Sequence, residues 1–425
     1  MEVKPTKSTF RQYMSFWGGQ MFSLLGSMVV HFVIIWYLTI TTESALVLAL
    51  ASFFFIIPMI VIFPIAGVFS DRLDRKKLII TVDSLQAVTT VVLILLFAIG
   101  FTNIAIIFLF IAIRSVFQAF HQPTVNAVVP TMVPKEKLSR INGVNFLASG
   151  IIQLIGPALA GTLLLFVSVE QALWTDVITF FIAFIPLILI TIPKVRIEKV
   201  KKEESFKEEF KDGVKTLRSI PGVMSLLFMA MLINFLIQPI NVLSSLFIYS
   251  NHAGNQLEYA FISMGIQTGI IIGALLTTFK KQWKNKIPVT VICLIIFMVG
   301  YAFVGLAPYR AFLYIFLVNV AMGLILPIVN TIFQTIMQTI IPHEKFGRVS
   351  SIDSMLSMLM TPIGALIVGP LAEIMGITNL FLLSGVLGVS VTIFMYLFSG
   401  LRKLDFKIDS ENISATEMDL PSIIE

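Results

Sequence analysis

Pro134-Lys135-Glu136-Lys137-Leu138-Ser139-Arg140 is answered later in the chain by Pro342-His343-Glu344-Lys345-Phe346-Gly347-Arg348, with proline, glutamate, lysine and arginine at matching places. Just upstream, Pro123-Thr124-Val125-Asn126 matches Pro327-Ile328-Val329-Asn330; the second copy holds four extra residues before its basic stretch, about one helical turn. The chain therefore reads as a duplicated unit. Around both copies run apolar stretches of about 20 residues, each long enough to cross a hydrocarbon layer as a helix. Twelve are counted, at approximately 15–38, 45–69, 78–99, 103–126, 142–166, 173–193, 223–249, 258–279, 287–306, 311–334, 350–373 and 379–400.

Composition agrees. Residues are 57% hydrophobic and only 13% charged, whereas a water-facing surface brings a soluble chain to roughly 25% charged. The first stretch follows Lys4, Lys7 and Arg11 as a signal peptide would, but it is too long and lacks a small-x-small cleavage site, so it is read as a retained helix. Placing the N-terminus in the cytoplasm puts almost every Lys and Arg on one side, as the positive-inside rule requires. That side holds Arg72, Arg75, Lys76 and Lys77, then Lys135, Lys137 and Arg140, then Lys280, Lys281, Lys284 and Lys286, with nine more in 194–222. The opposite loops hold only Arg310, and the spans hold only Arg114. This dispersal over short loops explains the net charge of +6 without nucleic acid, which would gather the charge on one face. The single cysteine, Cys293, forms no intrachain disulfide.

The charged segment 194–222 divides six spans from six. The expected organisation is a bundle over 1–193, a cytoplasmic linker over 194–222, a second bundle over 223–400 and a disordered cytoplasmic tail over 401–425. Phe206, Phe210, Val214 and Leu217 recur at helical spacing in the linker, with Glu203 and Lys207 as an i,i+4 pair, which predicts an amphipathic helix on the inner membrane surface. Two parallel six-helix repeats with a site at their interface is a transporter architecture.

Several stretches carry chemistry. Gly67-Val68-Phe69-Ser70-Asp71-Arg72-Leu73-Asp74-Arg75-Lys76-Lys77 follows the second span. Its glycine would permit close helix approach, and Asp71 could rest against the N-terminus of the eleventh helix near Ser350 and Ser351. Arg72 and Arg75 would then exchange carboxylate partners, Asp353 among them, as the halves rock; the alternative is a basic stop that only fixes topology. Arg114 lies near the bilayer centre, where a charge costs ~2.5–3.5 kcal/mol even on insertion scales, so it should face a cavity or an acid. Gly156-Pro157-Ala158-Leu159-Ala160-Gly161 combines a lost helical hydrogen bond with room for a neighbour, a kink or a packing motif.

Polar residues fall on single helical stripes: Gln20, Ser23, Ser27 and His31; Asn142, Asn145, Ser149 and Gln153; Asn234, Gln238, Asn241 and Ser245; Asn319, Asn330 and Gln334. Each is a candidate either for a cavity wall or for interhelical hydrogen bonding. Groups that could change charge when desolvated are Asp83 and Asp176, each one to two turns inside a span, His31 near the middle of the first, and His121 nearer the inner end of the fourth. No acid sits at a clear midplane position, and each of these two could instead cap a helix end or pair with a loop cation.

The loop at 67–77 resembles the signature loop of the major facilitator superfamily, with Asp74 at its usual second glycine. Arg114-Ser115-Val116-Phe117-Gln118 resembles that superfamily's fourth-helix motif, and Gly156–Gly161 its antiporter motif. With Ala119-Phe120-His121 and Pro123 these stretches resemble the macrolide-efflux-like drug:proton antiporters, from about Phe16 to Asp405. The resemblance implies an all-α membrane protein of twelve transmembrane helices in two six-helix bundles, the major facilitator fold. It implies helices one, four, seven and ten around a central cavity, hence Gln20, His31, Gln118, Asn234, Gln238, Asn241, Asn319 and Asn330 as substrate-cavity candidates. It associates Arg114 with proton coupling, together with Asp83, Asp176 and His31 as candidates. Gly67, Asp71, Arg72, Arg75 and Asp353 form the expected conformational latch, and Gly156, Pro157 and Gly161 the antiporter-like kink.

The expected function is proton-coupled efflux of an amphipathic small molecule from the plasma membrane by a monomer with both termini cytoplasmic. An uptake permease, a lipid or siderophore transporter, and a non-transporting scaffold are the other readings. No metal-binding His-Glu-x-x-His and no nucleophile–base pair is evident, so neither enzyme, cofactor nor metal is expected.

Overall fold

Several helices in this chain start on a side-chain cap. The Thr6 hydroxyl accepts the Thr9 N–H, Ser44 that of Val47, Asp74 that of Lys77 and Asn103 that of Ala105. Pro134 and Pro342, the first residues of the duplicated stretches, hold nearly equal backbone angles (φ −56°, ψ 142° and φ −54°, ψ 136°) immediately before long helices. A fixed proline φ suits that position. The Pro-x-Glu-Lys stretches are thus helix starts, and the fifth and eleventh spans begin about two turns earlier than the apolar pattern alone suggests.

The computed structural model describes residues 6–193, 206–280, 283–402 and Leu404; the side chains of Asp71, of 206–210 and of His343 and Glu344 lie outside the description. Its helices are α1 (Lys7–Thr42), α2 (Ala45–Arg72), α3 (Arg75–Ala98), α4 (Ile104–Met132), α5 (Lys135–Phe166), α6 (Val169–Leu189) and α7 (Phe206–Ser219). Then come α8 (Val223–Leu236), α9 (Gln238–Leu246), a π-helical turn (Phe247–Asn251), α10 (Gln256–Phe279), α11 (Lys286–Gly305), α12 (Phe312–Ile340), α13 (His343–Met375) and α14 (Ile377–Phe398). Among the described residues there is no strand, and twelve helical segments are long and apolar enough to cross a membrane. The chain is an all-α multi-pass membrane protein of two six-helix bundles. Leu401 and Leu404, at the start of the expected disordered tail, are buried, with Leu404 against Gly222; the tail from 405 onward and the Glu203–Lys207 pair lie outside the described residues.

The seventh span, expected to run unbroken over 223–249, is instead two helices and a π-helical turn. Pro239 has no N–H to return to the preceding turn. The carbonyl of Ile237 accepts the Tyr301 hydroxyl at 2.6 Å, and the Gln238 amide donates to the Asn234 carbonyl at 2.9 Å. Side chains thereby satisfy backbone groups at the break, as a hydrocarbon surround demands.

Successive spans alternate in direction, so the lysine- and arginine-rich connections share one end, here the basic end, and the others share the far end. At the basic end of the first bundle, Lys76 donates to the carbonyls of Ile188 and Ile190, both at 2.6 Å, capping α6. Arg75 donates to the Ala127 carbonyl at 2.8 Å. A separate core of Tyr13, Phe16, Ile79, Val128, Met132, Ile141 and Leu187 lies here and draws only on first-bundle residues.

Contacts between bundles gather at the far end. The Thr39 hydroxyl donates to Ser245 Oγ at 2.8 Å, the Ser44 hydroxyl to Glu373 at 3.2 Å, and the Gln256 amide to the Leu164 carbonyl at 3.4 Å. Trp36 stacks on Tyr259 (centroids 5.7 Å apart) and meets Tyr249 of the π-helical turn edge-on at 5.9 Å; Phe32 also stacks on Tyr259, at 4.9 Å. Aromatic pairs of this kind add about 0.5–1.5 kcal/mol each beyond buried area. The far end is the sealed one.

The amphipathic helix expected on the membrane surface is α7, and it is docked on protein. Leu217 is buried, and a Cβ at Gly213 would meet Ile352 of α13 at 2.6 Å. Asp212 accepts from Lys345 at 3.1 Å and Arg348 at 2.9 Å, and these two donors hold its carboxyl below the usual range. A depressed carboxyl contributes stability that is complete above the ordinary Asp value and lost as pH falls through the depressed one. Docking of α7 is expected to persist at mildly acidic pH and to loosen only below about pH 4, the ordinary Asp value. Distances between spin labels at Lys215 and Ser351 across a pH series check this; separation already at pH 6 would contradict it.

Candidate transport site

The first bundle encloses two polar clusters, and both depend on how closely its helices approach. A Cβ at Gly26 would lie 3.0 Å from the Asp176 backbone, so only glycine lets α1 and α6 touch there. That approach brings Ser27 to 3.5 Å from Asp176. On the carboxylate's other oxygen, Arg114 of α4 donates at 2.8 Å and the Thr90 hydroxyl of α3 at 2.6 Å, while Arg114 also contacts Thr90. The Arg114 and Asp176 side chains are 11% and 9% exposed. The acid that a mid-span arginine requires is therefore Asp176, which caps no helix end and pairs with no loop cation.

Nearer the basic end lies the second cluster. His121 Nε2 of α4 is 3.3 Å from Asp83 Oδ1 of α3 and 2.8 Å from Gln20 Oε1 of α1; the Gln20 amide donates to Asp83 Oδ2 at 3.5 Å. Asp83 and His121 side chains are 4% and 17% exposed. Thus Asp83 too is an interior acid rather than a helix cap.

The other candidates disperse. His31 is exposed beside Phe55, with ring centroids 5.4 Å apart. Gln118 is half-buried, and Asn241 and Asn330 are exposed. Asn234 donates to the Ala230 carbonyl at 3.0 Å within its own helix. Gln238, 3% exposed, is occupied at the seventh-span break. Asn319 faces α10, donating to the Ile262 carbonyl at 3.4 Å, so it belongs to the interior of the second bundle and not to the space between bundles. A stripe on one helix does not say which neighbour it meets.

At the loop after α2 the structure departs from expectation. A Cβ at Gly67 would meet nothing within 4 Å, so no helix packs closely there in this conformation. Ser350 and Ser351 lie two turns inside α13 rather than at its N-terminus. Asp353 is half-buried and makes no hydrogen bond or ion pair among the described residues. Arg72 is exposed, and the Asp71 side chain lies outside the description. Asp74, the departure from the signature, caps α3 by accepting the Lys77 N–H at 3.2 Å. We expect Gly67→Ala to change thermal stability by no more than about 0.5 kcal/mol, as for surface substitutions, measured by fluorescence-detected melting in detergent. A drop beyond 2 °C at unchanged expression would argue for close packing at Gly67.

Gly156 and Pro157 sit inside α5, where a Cβ at Gly156 would meet Met28 at 2.8 Å. At Gly161 it would meet Ala260 and the Gln256 carbonyl, each at 2.8 Å, so this glycine lets the two bundles touch at the far end.

Comparison with known proteins fixes the family. The model of the Major Facilitator Superfamily matches residues 16–365. Macrolide efflux protein A of Streptococcus pyogenes is 32% identical, covering 93% of this chain and 98% of its own length. Macrolide efflux protein A of Enterococcus faecalis is 30% identical over 76% of this chain and 99% of its own. Among solved structures, a bacterial homologue of the iron transporter ferroportin in an inward-facing state superposes with a TM-score of 0.69 at 17% identity, covering 91% of this chain and 98% of that one. Family, fold and interior ion pair agree: the chain belongs to the major facilitator superfamily of membrane transporters.

Proposed function

We propose that this chain exports an amphipathic small molecule of the macrolide-like class in exchange for protons, by alternating access. The observation that carries the reading is the likeness to macrolide efflux protein A over nearly the whole of both chains. In this reading the basic end faces the cytoplasm with both termini, following the Lys and Arg distribution. Residues 1–193 and 223–400 are the rocking bodies, and 194–222 joins them. With the far end sealed, the present conformation is the one loaded from the cytoplasm or inner leaflet. The exposed polar groups of His31, Asn241 and Asn330 suit the wall of a water-reached space, since facing hydrocarbon would be costly. The latch of Asp71, Arg72, Arg75 and Asp353 belongs to the opposite state, in which the basic ends come together.

The substrate class also follows from the spans' chemistry. The mid-span Arg114 already has its counter-ion and Asp83 is enclosed by His121 and Gln20, while the other candidates offer neutral hydrogen bonds beside many Phe and Met. A bulky amphiphile gains ~25 cal/mol per Å² of buried apolar surface; a small hydrophilic cation finds the interior acids Asp83 and Asp176 already enclosed by their partners and so gains little to offset its desolvation. In a host lacking its own pumps, the chain is expected to lower accumulation of macrolides and lipophilic dyes, with accumulation returning to the control level when the proton gradient is collapsed. Protection confined to small hydrophilic cations, or sugar-dependent growth conferred by the chain, would overturn the reading in favour of a permease.

A further inference from the structure

The first bundle buries two carboxylates, and their partners differ in kind. Asp176 faces Arg114, whose guanidinium stays protonated at every physiological pH, and it also receives hydroxyl donors from Thr90 and Ser27. Asp176 thus has a fixed cation as its partner. Among the described residues Asp83 meets His121, a residue type that can take up or release a proton, and the neutral Gln20. We propose that Asp83 and His121 jointly hold the exchanged proton, and that Gln20 is the positioning residue conveying its presence to α1.

This assignment rests on the proton-exchange reading above, and the proton accounting is simple. Both contacts of His121 use Nε2, so the neutral ring carries its hydrogen there, directed at Gln20 Oε1 and Asp83 Oδ1. A proton from water binds Nδ1 and gives an imidazolium beside the carboxylate. Passing the Nε2 proton to Oδ1 gives the carboxylic acid beside a neutral ring. The second form is the loaded one: the pair has moved from one negative charge to none with one proton taken up, and release reverses the steps. His121 is the more exposed partner and the entry point, whereas Asp83 is almost wholly enclosed. Losing the charge in low dielectric removes a desolvation cost that the empty state carries. Gln20 touches both groups and sits on the same helix as Ser27 and His31, so a change in its two hydrogen bonds is felt along α1.

Other charged and titratable groups around the pair are few. From α6 comes Asp176, within electrostatic reach of Asp83, and from α4 comes Arg114, bound to it. From α1 come His31, within reach of Arg114, and Tyr13, which accepts from Asn145 of α5 at 3.4 Å. The charged side chains of α2 and α5 lie at their basic ends.

The test begins without any drug. Infrared difference spectra of the full-length protein in lipid vesicles, taken across a pH series, should show a protonated-carboxyl band that disappears in Asp83→Asn, changes its pH midpoint in His121→Gln and Gln20→Leu, and survives in Asp353→Asn. Survival of the band in Asp83→Asn, or an unmoved midpoint in His121→Gln, overturns the assignment. In proteoliposomes, Asp83→Asn should then lose gradient-driven accumulation of a macrolide while retaining exchange of labelled for unlabelled macrolide without a gradient. Wild-type accumulation by Asp83→Asn also overturns it. Absence of exchange in the wild-type protein would instead sink the macrolide reading, and the infrared band would still judge the proton site. Correct assembly of each variant is checked by a monodisperse elution profile.

Discussion

Asp176→Asn is expected to destabilise the protein by about 3–5 kcal/mol, the range for removing one partner of a buried ion pair. The cost comes from Arg114, which keeps its charge in the middle of α4 with Thr90 and a neutral amide as its neighbours. The two side chains are only 11% and 9% exposed, so little water reaches the charge. Melting in detergent, followed by tryptophan fluorescence, should show the loss. The paired change Arg114→Met with Asp176→Leu removes both charges and is expected to recover most of the stability, because apolar replacement of a whole buried pair is often neutral or better. A double variant that melts as low as Asp176→Asn would show that the pair stabilises by packing and not by charge balance. Recovery of stability without recovery of transport would assign the pair a part in transport.

The second large effect is expected at the crossing of α10 and α12. A Cβ at Gly269 would lie 2.1 Å from the Val320 carbonyl and 2.7 Å from the Leu324 nitrogen; one at Gly323 would lie 2.1 Å from the Ile266 carbonyl. These obstacles are backbone, which cannot rotate aside as a side chain can. Gly269→Ala must push the helices apart, at or beyond the upper end of the ~1–3 kcal/mol that overpacking costs. Asn319 would lose its hold on the Ile262 carbonyl in the same movement. The expected result is a sharp fall in monodisperse protein, in contrast to Gly67→Ala. Wild-type yield and melting for Gly269→Ala would mean that the crossing is looser than described.

Much of this arrangement was legible in the chain. The paired Pro-x-Glu-Lys stretches announced the duplication, the lysines and arginines announced a common end, and Arg114 announced a buried acid. The identity of that acid was not legible. Asp176 lies on a different helix, and contact between α4 and α6 depends on how α1 and α3 pack with them, which spacing along one helix does not encode. The same reason hid the meeting of Asp83, His121 and Gln20 and misplaced Asn319. Other features carried signals that apolar counting passes over: Gln238-Pro239 marks the break in the seventh span, Asp74 before a basic helical run is a ready cap, and Gly265, Gly269 and Gly273 repeat at the four-residue interval of close helix pairs.

The gathering of cross-bundle contacts at the far end has an electrostatic consequence at the other. Arg72, Lys77, Lys135 and Arg140 ring the basic end of the first bundle, and Lys280, Lys284 and Lys286 that of the second. Closing that end brings two like-charged rims together, and their repulsion reaches about 8 Å at physiological ionic strength. The repulsion acts as a spring that favours separation of the basic ends, and acids such as Asp71, Glu136 and Asp353 oppose it. Dissolved salt weakens such a spring, so the balance between the two states depends on the ionic strength at the basic end.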